Sequence, residues 1–374
     1  MEFFLNAGLG IGVFMLMLLS FKRQKKREDY LFLSWIATTL LQITFYLVNI
    51  YHFELSGIWA ILAFALPLLG APLLFLYIQT ITGYGFSLKT AVIHLSIYPI
   101  YVFLFFAFKE MVGVEIKAMN GFLGFSRQAG ILTEYYAIPL AISGLLYSFW
   151  DLALLRKHMG RIANLFSFDE NISLRWLNYV VYSYLMLFLL ASFLIFGAIH
   201  FDLLSLKNAF ASVGILLSIM LLAFGFYGFR QTAIFSNTEL PVSKRRTAKA
   251  SYSKSGLDQN KIEDLAQQLS KFMETERPYL NENLNLKTLS ETCKLQQAQL
   301  SQLINQHFKM NFYDFVNQYR VKEVKVRLSS SEFDQLSILG IAFDCGFKSK
   351  SSFNRYFKKY AGVSPSEFKK NLLK

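Results

Sequence analysis

Five polar side chains near the C-terminus recur at a spacing that would place them on one face of a helix. They are Lys350, Ser351, Asn354, Arg355 and Lys358. Arginine suits a bidentate contact with the edge of guanine, and lysine suits phosphate oxygens. Phe353 and Phe357 fall on the opposite face, which would be the buried side of the same helix. The exposed side therefore has the chemistry needed to bind double-stranded DNA.

An amide-rich face occurs about fifty residues earlier. Leu300, Leu303 and Phe308 predict the inner side of a helix there, and its outer positions are Gln297, Ala298, Gln299, Ser301, Gln302, Asn305 and Gln306. Glutamine and asparagine can pair bidentately with adenine, and serine can bond to either partner of a base pair. A solvated polar face is the alternative interpretation. We expect the DNA-binding positions of this helix on its outer face, with Gln297 among them.

Each polar face lies on the second of two helices joined by a tight turn. The inward positions of the two leading helices are Leu286, Leu289 and Cys293 in the first pair, and Ile338, Ile341 and Ala342 in the second. Gly346 stands at the second turn, where a Cβ would clash as two helices cross. A stripe of Phe312, Val316, Tyr319, Val324 and Leu328 predicts a connecting helix between the pairs. The pattern predicts two helix-turn-helix motifs held apart by that helix.

The stretch from about 261 to 370 resembles the DNA-binding domain of the AraC family of bacterial transcription regulators. The most specific match is IAFDCGFKSKSSFNRYFKKYAGVSPSEFKK, and NFYDFVNQYRVKEVKVRL resembles the family's connecting helix. The resemblance implies that each second helix enters a major groove, the two grooves lying roughly 34 Å apart on one face of the duplex. It also implies base reading by Ala298, Ser301 and Gln302 in the first motif, and by Lys350, Ser351, Asn354 and Arg355 in the second.

The chain departs from the family pattern in its first motif. Ser290, Lys294 and Gln296 replace the family's usual Ala, Gly and Ser, and HFKMNF lacks the usual Gly before the connecting helix. Gln296 is a poorer N-cap than serine. In the closing signature, the phenylalanines and Pro365 are expected in the core or in turns, and Arg320 is expected to be a structural ion-pair partner. The first motif is therefore the more divergent reader.

Most of the remaining chain is too apolar for an ordinary soluble protein. The full chain of 374 residues is 54% hydrophobic, with a mean hydropathy of +0.35. Seven apolar runs approach the roughly 20 residues needed to cross a bilayer; they are 3–21, 30–51, 58–81, 90–108, 135–155, 177–199 and 209–229. Pro67, Pro72, Pro99 and Pro139 lie within these runs and should kink the helices without breaking them. The sequence predicts a transmembrane bundle of about seven helices.

The distribution of basic residues predicts the orientation of this bundle. The first loop carries Lys22, Arg23, Lys25, Lys26 and Arg27, whereas the second loop has none. Lysine and arginine in short loops are retained on the cytoplasmic side. The N-terminus is therefore expected outside, and an odd number of spans places the C-terminal domain in the cytoplasm. We expect a multi-pass protein of the bacterial inner membrane.

These patterns predict an all-α protein with three parts. Residues 1–230 form the bundle, 231–257 a basic flexible linker, and 258–374 the DNA-binding domain. The net charge of +13 favours anionic partners, which are nucleic acid and membrane lipid. The linker's basic residues would lie beside anionic lipid or add contacts to DNA phosphates; they are Lys244, Arg245, Arg246, Lys249 and Lys254.

Two function classes fit the bundle. The first is a regulator, working alone or as a homodimer, that couples an unknown ligand or protein signal to gene expression; the second is a transporter or receptor with a helical adaptor domain.

Asp151 and His94 are the candidate functional groups at depth, although each lies near a predicted helix end. The outward loop 109–134 is either a ligand site or a flexible solvated loop. No inverted repeat, paired intramembrane carboxylates or metal-ligand spacing appears, and Cys293 and Cys345 form no CxxC pattern, so we expect no enzyme, cofactor or metal.

Overall fold

Helices make up most of the computed structural model, which describes residues 2–22, 25–51, 55–119, 122–125, 136–167, 174–230 and 259–372. The predicted linker 231–257 lies outside these ranges. Contacts divide the chain into an N-terminal unit, Met1–Arg156 with Leu174–Val242, and a C-terminal unit, Lys157–Ser173 with Ser243–Lys374.

The N-terminal unit is built from nine described helices. They are α1 (Glu2–Ser20), α2 (Arg27–Ile50), α3 (Ile58–Phe64), α4 (Pro67–Ile81), α5 (Leu88–Leu95), α6 (Ile97–Val112), α7 (Ile138–Leu165), α8 (Arg175–His200) and α9 (Leu206–Arg230). Helix α1 packs against α2 and α9. Gly8 permits the close approach to α9, because a Cβ there would overlap the side chain of Ser218. Small residues of this kind are common where apolar helices pack closely.

Six stretches of the described chain are long and apolar enough to cross a membrane. They are Glu2–Ser20, Arg27–Val48, Ile58–Ile81, Leu88–Val112, Ile138–Leu165 and Trp176–His200. The seventh predicted run falls in α9, whose described apolar part, Lys207–Ala223, is shorter than these six. Six apolar helical stretches are thus present, and the seventh span stays a prediction.

Two of the prolines coincide with a short interruption of regular helix, and the apolar stretches Ile58–Ile81 and Leu88–Val112 continue across it as a kink would allow. Helix α3 ends at Phe64 and α4 begins at Pro67, while α5 ends at Leu95 and Pro99 lies in the first turn of α6. A proline lacks the N–H that donates a backbone hydrogen bond at an interior helical position. In the first turn the N–H groups have no acceptor within the helix, so proline is tolerated there. Pro72, in contrast, lies inside α4.

A small antiparallel sheet departs from the all-α prediction. It consists of β1 (Leu55–Ser56), β2 (Ile116–Met119) and β3 (Phe122–Phe125), in the order β1-β2-β3. Ile116, Ala118 and Leu123 from this sheet are buried in the apolar core of the N-terminal unit. The flexible-loop interpretation of 109–134 is therefore wrong for the part that forms β2 and β3.

The C-terminal unit contains the end of α7 and seven further helices within the described residues. These are α10 (Gln259–Thr275), α11 (Leu286–Thr292), α12 (Gln297–Gln306), α13 (Phe312–Leu328), α14 (Ile338–Asp344), α15 (Lys350–Ala361) and α16 (Pro365–Leu372). Two apolar clusters fill it: one joins α10, α11 and α12 to the first part of α13, and the other joins α14 and α15 to the rest of α13. Helix α13 thus supports two small helical cores.

Candidate nucleic-acid interface

The two predicted helix-turn-helix motifs are present and begin alike. Asn285 caps α11 by accepting a hydrogen bond from the Thr288 N–H at 3.0 Å, and Ser337 caps α14 by accepting from the Gly340 N–H at 3.0 Å. Such caps satisfy N–H groups that have no partner within the first helical turn. Helices α11 and α14 are both seven residues long. The leading helices of the two motifs therefore start and end at equivalent positions.

The turn of each motif has one residue with a left-handed backbone, but the residue type differs between the two turns. Lys294 has φ 56° and Gly346 has φ 88°. A Cβ at Gly346 would lie 2.5 Å from the Tyr279 carbonyl oxygen and 2.8 Å from that of Leu280. Glycine is required at the second turn, whereas the first turn holds a lysine in a conformation that L-residues adopt at a cost. This lysine stands where the family usually has glycine.

Helix α15 presents all five of its predicted DNA-binding residues to solvent. Lys350, Ser351, Asn354, Arg355 and Lys358 are exposed. The opposite face is anchored by Phe353, Tyr356 and Phe357, which are 2%, 7% and 0% exposed. Ser349 caps the helix by accepting from the Ser352 N–H at 3.3 Å. The second motif therefore offers a contiguous polar, cationic surface on a firmly packed helix.

Arg355 is held in place by aromatic side chains. Its Nη2 donates to the Tyr313 hydroxyl at 3.0 Å, and its guanidinium carbon lies 5.1 Å from the centre of the Tyr356 ring. Tyr313 is 5% exposed and also lies 3.0 Å, oxygen to oxygen, from the hydroxyl of Ser352. Sequence reasoning did not single out Tyr313, since it lies on α13, about forty residues away. Its contacts orient an arginine whose donors suit a base edge.

Helix α12 is packed through Leu300, Leu303 and Ile304, each 0% exposed. Of its predicted readers, Gln297 is exposed and Ala298 and Ser301 are half-buried. Gln302 departs from the expected outer face: it is 7% exposed, and its amide donates to the Gln306 side chain at 2.9 Å.

The N-terminus of α12 is capped by the side chain of Gln299. The Gln296 N–H donates to the Gln299 side chain at 3.1 Å. A side chain at the third helical position that reaches back to the N-cap residue satisfies an otherwise unpaired donor. Gln299, placed on the outer face by its spacing, thus compensates for the poor capping ability of glutamine at 296.

The two second helices differ in charge. Aligned on their first residues, Gln297 of α12 corresponds to Lys350 of α15, and Gln302 corresponds to Arg355. Helix α12 contains no charged residue, whereas α15 carries four cations: Lys350, Arg355, Lys358 and Lys359. Lys359 lies 2.7 Å from an Asp314 carboxylate oxygen. Of the two second helices, only α15 therefore carries positive charge.

The two cysteines occupy equivalent places, directly after α11 and α14. Burial raises the pKa of the Cys345 thiol to about 12 and that of Cys293 to about 11. Both thiols are therefore protonated at neutral pH, as expected for small apolar side chains. Within the described ranges, no group of three or more His, Cys, Asp and Glu side chains could hold a metal ion.

The two candidates in the N-terminal unit lie on different helices, His94 on α5 and Asp151 on α7. Nδ1 of His94 lies 2.8 Å from the Tyr147 hydroxyl. Asp151 is 1% exposed, and within the described residues its Oδ1 has no hydrogen-bond partner. The side chain of Asp151 is therefore enclosed by the helices of the N-terminal unit.

Comparison with known proteins agrees with the C-terminal geometry. A family model described as a helix-turn-helix domain matches residues 289–371. A stretch of 88 residues is 28% identical to an uncharacterised HTH-type transcriptional regulator of Haemophilus influenzae, covering 24% of this chain and 28% of that protein. No solved structure matches the chain. The C-terminal part therefore carries a helix-turn-helix domain of the AraC type.

Proposed function

We propose that the chain is a membrane-embedded, sequence-specific DNA-binding transcription regulator that couples a membrane or extracytoplasmic signal to gene expression. The observation that carries the DNA-binding part is the exposed cationic face of α15 in the second motif, together with a first motif that packs on the same connecting helix. Six apolar helical stretches support membrane embedding. The proposal includes an inner-membrane location with the C-terminal domain in the cytoplasm.

Binding of full-length protein to duplex DNA tests the first part. The full-length chain in lipid nanodiscs is used to select duplexes from a random library, and affinity is then measured at several salt concentrations. Arg355→Ala should weaken binding about 5- to 100-fold and relax specificity, since a bidentate arginine contact contributes about 1–3 kcal/mol of discrimination. Lys322→Ala is the control, because it removes the same charge from an exposed site on α13.

Each outcome separates the two function classes. Recovery of a specific sequence, with loss of specificity in Arg355→Ala alone, supports the regulator. Sequence-independent binding that survives this substitution would reject the regulator and favour a transporter or receptor with an adaptor domain.

A cavity in the N-terminal unit supports the sensing part. Its volume is about 280 Å³, and apolar and aromatic side chains from α2, α3, α4, α7, α8 and α9 line it. Five of the lining residues carry a polar group: Gln42, Tyr46, Tyr184, Ser192 and His200. Such mostly apolar cavities with isolated polar groups are typical small-molecule sites. The signal we propose is therefore a lipophilic molecule with a small polar group.

Native mass spectrometry of the full-length chain tests this site. Ala141 lines the cavity, so Ala141→Phe should displace a bound lipophilic molecule. The neighbouring Ile142 is 50% exposed and does not line it, which makes Ile142→Phe the control. Equal retention of bound molecules by both variants would exclude the cavity as the signal site.

A further inference from the structure

The end of α7 is built into the helix-turn-helix domain. Residues 163–167, here called the docking segment, belong to the same compact unit as α10 to α16. Leu165 packs against the apolar cluster of the first motif, and Ala163 packs against that of the second. Phe166 forms an isolated antiparallel bridge with Asn285, the N-cap residue of α11. One short segment therefore contacts both helix-turn-helix motifs.

Ser167 ends the docking segment and is almost fully enclosed, with 1% exposure. Its N–H and its hydroxyl both donate to the Leu284 carbonyl oxygen, at 3.2 Å and 2.5 Å. Leu284 lies directly before the cap of α11, so these bonds fasten the docking segment to the start of the first motif. The side-chain amide of Asn317 on α13 donates to the Ser167 carbonyl oxygen at 3.3 Å.

Arg320 of α13 completes this network. It is 1% exposed, and Ser167 supplies two of its acceptors: the carbonyl oxygen, 3.0 Å from Nη1, and the hydroxyl oxygen, 3.1 Å from Nη2. The carbonyl oxygens of Tyr279 and Asn281 each lie 2.8 Å from Arg320 nitrogens. A Cβ on Gly346 would lie 3.0 Å from Nε, so the second turn packs against the same guanidinium.

We propose that the docking segment fixes the relative placement of α12 and α15, and that Ser167 is a positioning residue for DNA reading. A buried guanidinium is stable only when its donors are matched by acceptors, and loss of one such charged hydrogen bond is costly. With Ser167 in place, Arg320 holds together the segment 279–284 before α11, the connecting helix α13 and the turn of the second motif. This inference rests on the proposed DNA-binding function.

Hydrogen exchange on the full-length chain in nanodiscs is the first test. The Ser167 amide should exchange at least about a hundredfold more slowly than an unprotected amide, because it is hydrogen-bonded and enclosed. Exchange at the unprotected rate would overturn the proposal. This measurement needs no substitution.

The second test measures spacing preference. Duplexes selected by the unmodified chain are altered by inserting one to five base pairs between the two half-sites. The unmodified chain should bind the original spacing best, and in Ser167→Ala the ratio between best and altered spacing should fall about tenfold, which corresponds to about 1.4 kcal/mol. Asn164→Ala, at an exposed position one turn earlier on α7, should keep the original ratio.

The outcomes are distinguishable. A general loss of folded protein in Ser167→Ala would lower binding at every spacing by the same factor and leave the ratio unchanged; an unchanged ratio overturns the proposal. If Ser167→Ala does not fold, the exchange rate at Ser167 in the unmodified chain decides. If the unmodified chain selects no sequence, the proposed function fails, whereas the docking contact is still judged by hydrogen exchange.

Discussion

The guanidinium of Arg355 in α15 donates a hydrogen bond to the hydroxyl of Tyr313 in α13 across 3.0 Å. The same hydroxyl contacts Ser352 on the inner side of α15. One tyrosine on the connecting helix therefore restrains both the position of α15 and the direction of its most specific donor.

Removal of this hydroxyl should affect DNA reading more than stability. Tyr313→Phe keeps the buried ring, so we expect the free energy of unfolding to fall by only about 1 kcal/mol. Arg355 loses its restraint, and affinity for the selected duplex should fall several-fold. Tyr360→Phe is the matched control, because it also removes a hydroxyl that donates to α13, here to the Asp314 carbonyl oxygen, but it does not contact Arg355. Equal effects of both variants on binding would contradict a positioning role for Tyr313.

The lysine in the first turn should be a source of strain that glycine relieves. Lys294 has φ 56°, and we expect Lys294→Gly to raise the free energy of unfolding by about 1 kcal/mol. Lys287→Gly should change it by a similar amount in the opposite direction, because that exposed lysine lies inside α11, where glycine is unfavourable. The two changes in free energy of unfolding are measured by chemical denaturation, and hydrogen exchange of the α11 amides reports them locally. A loss of stability in Lys294→Gly would show that its side chain makes stabilising contacts that outweigh the strain.

The glycine of the second turn should tolerate no side chain. Gly346→Ala places a Cβ on a left-handed backbone and against two carbonyl oxygens. The free energy of unfolding should therefore fall by about 2 kcal/mol or more. Gly362 has φ 78° but open space around its Cβ position. Gly362→Ala should therefore cost only the backbone strain, about 1 kcal/mol. Thermal unfolding compares the two, and equal costs would mean that the carbonyl oxygens move aside.

The buried thiols predict a dependence of stability on pH. Burial raises the pKa of Cys345 to about 12, above the value of about 8.5 in an unfolded chain. The folded state then keeps a proton that the unfolded state releases, so this contribution is complete below about pH 8.5 and is lost as the pH rises towards 12. At pH 8, iodoacetamide should modify Cys345 far more slowly in folded than in unfolded protein, as read by mass spectrometry. Similar rates in both states would contradict the enclosed placement. Cys345→Ala should flatten the alkaline loss of stability.

The second helix-turn-helix could be predicted almost residue by residue. Its aromatic residues repeat at helical spacing and Gly346 marks the turn, so local pattern and packing agree. All five expected binding residues of α15 are exposed. In the first motif the pattern was equally clear, but Gln302 is covered and paired with Gln306. Periodicity alone assigns a direction to a side chain and does not show what lies over it.

Other features lay beyond the patterns used. The pairing of β2 with β3 was missed, although Asn120-Gly121 between them is a common signal for a tight hairpin turn. The contact between Ser167 and Arg320 joins residues 153 positions apart. Neither residue has a spacing or composition that identifies the other. Only the packed structure brings a serine after an apolar helix to a buried arginine.

Leu280 packs against the apolar clusters of both helix-turn-helix motifs. Neither motif can therefore open without uncovering part of the other. We expect the two to melt together in a single cooperative transition, with no lasting species in which one reader is ordered alone. A DNA site contacted by only one motif would then still require both motifs to be folded.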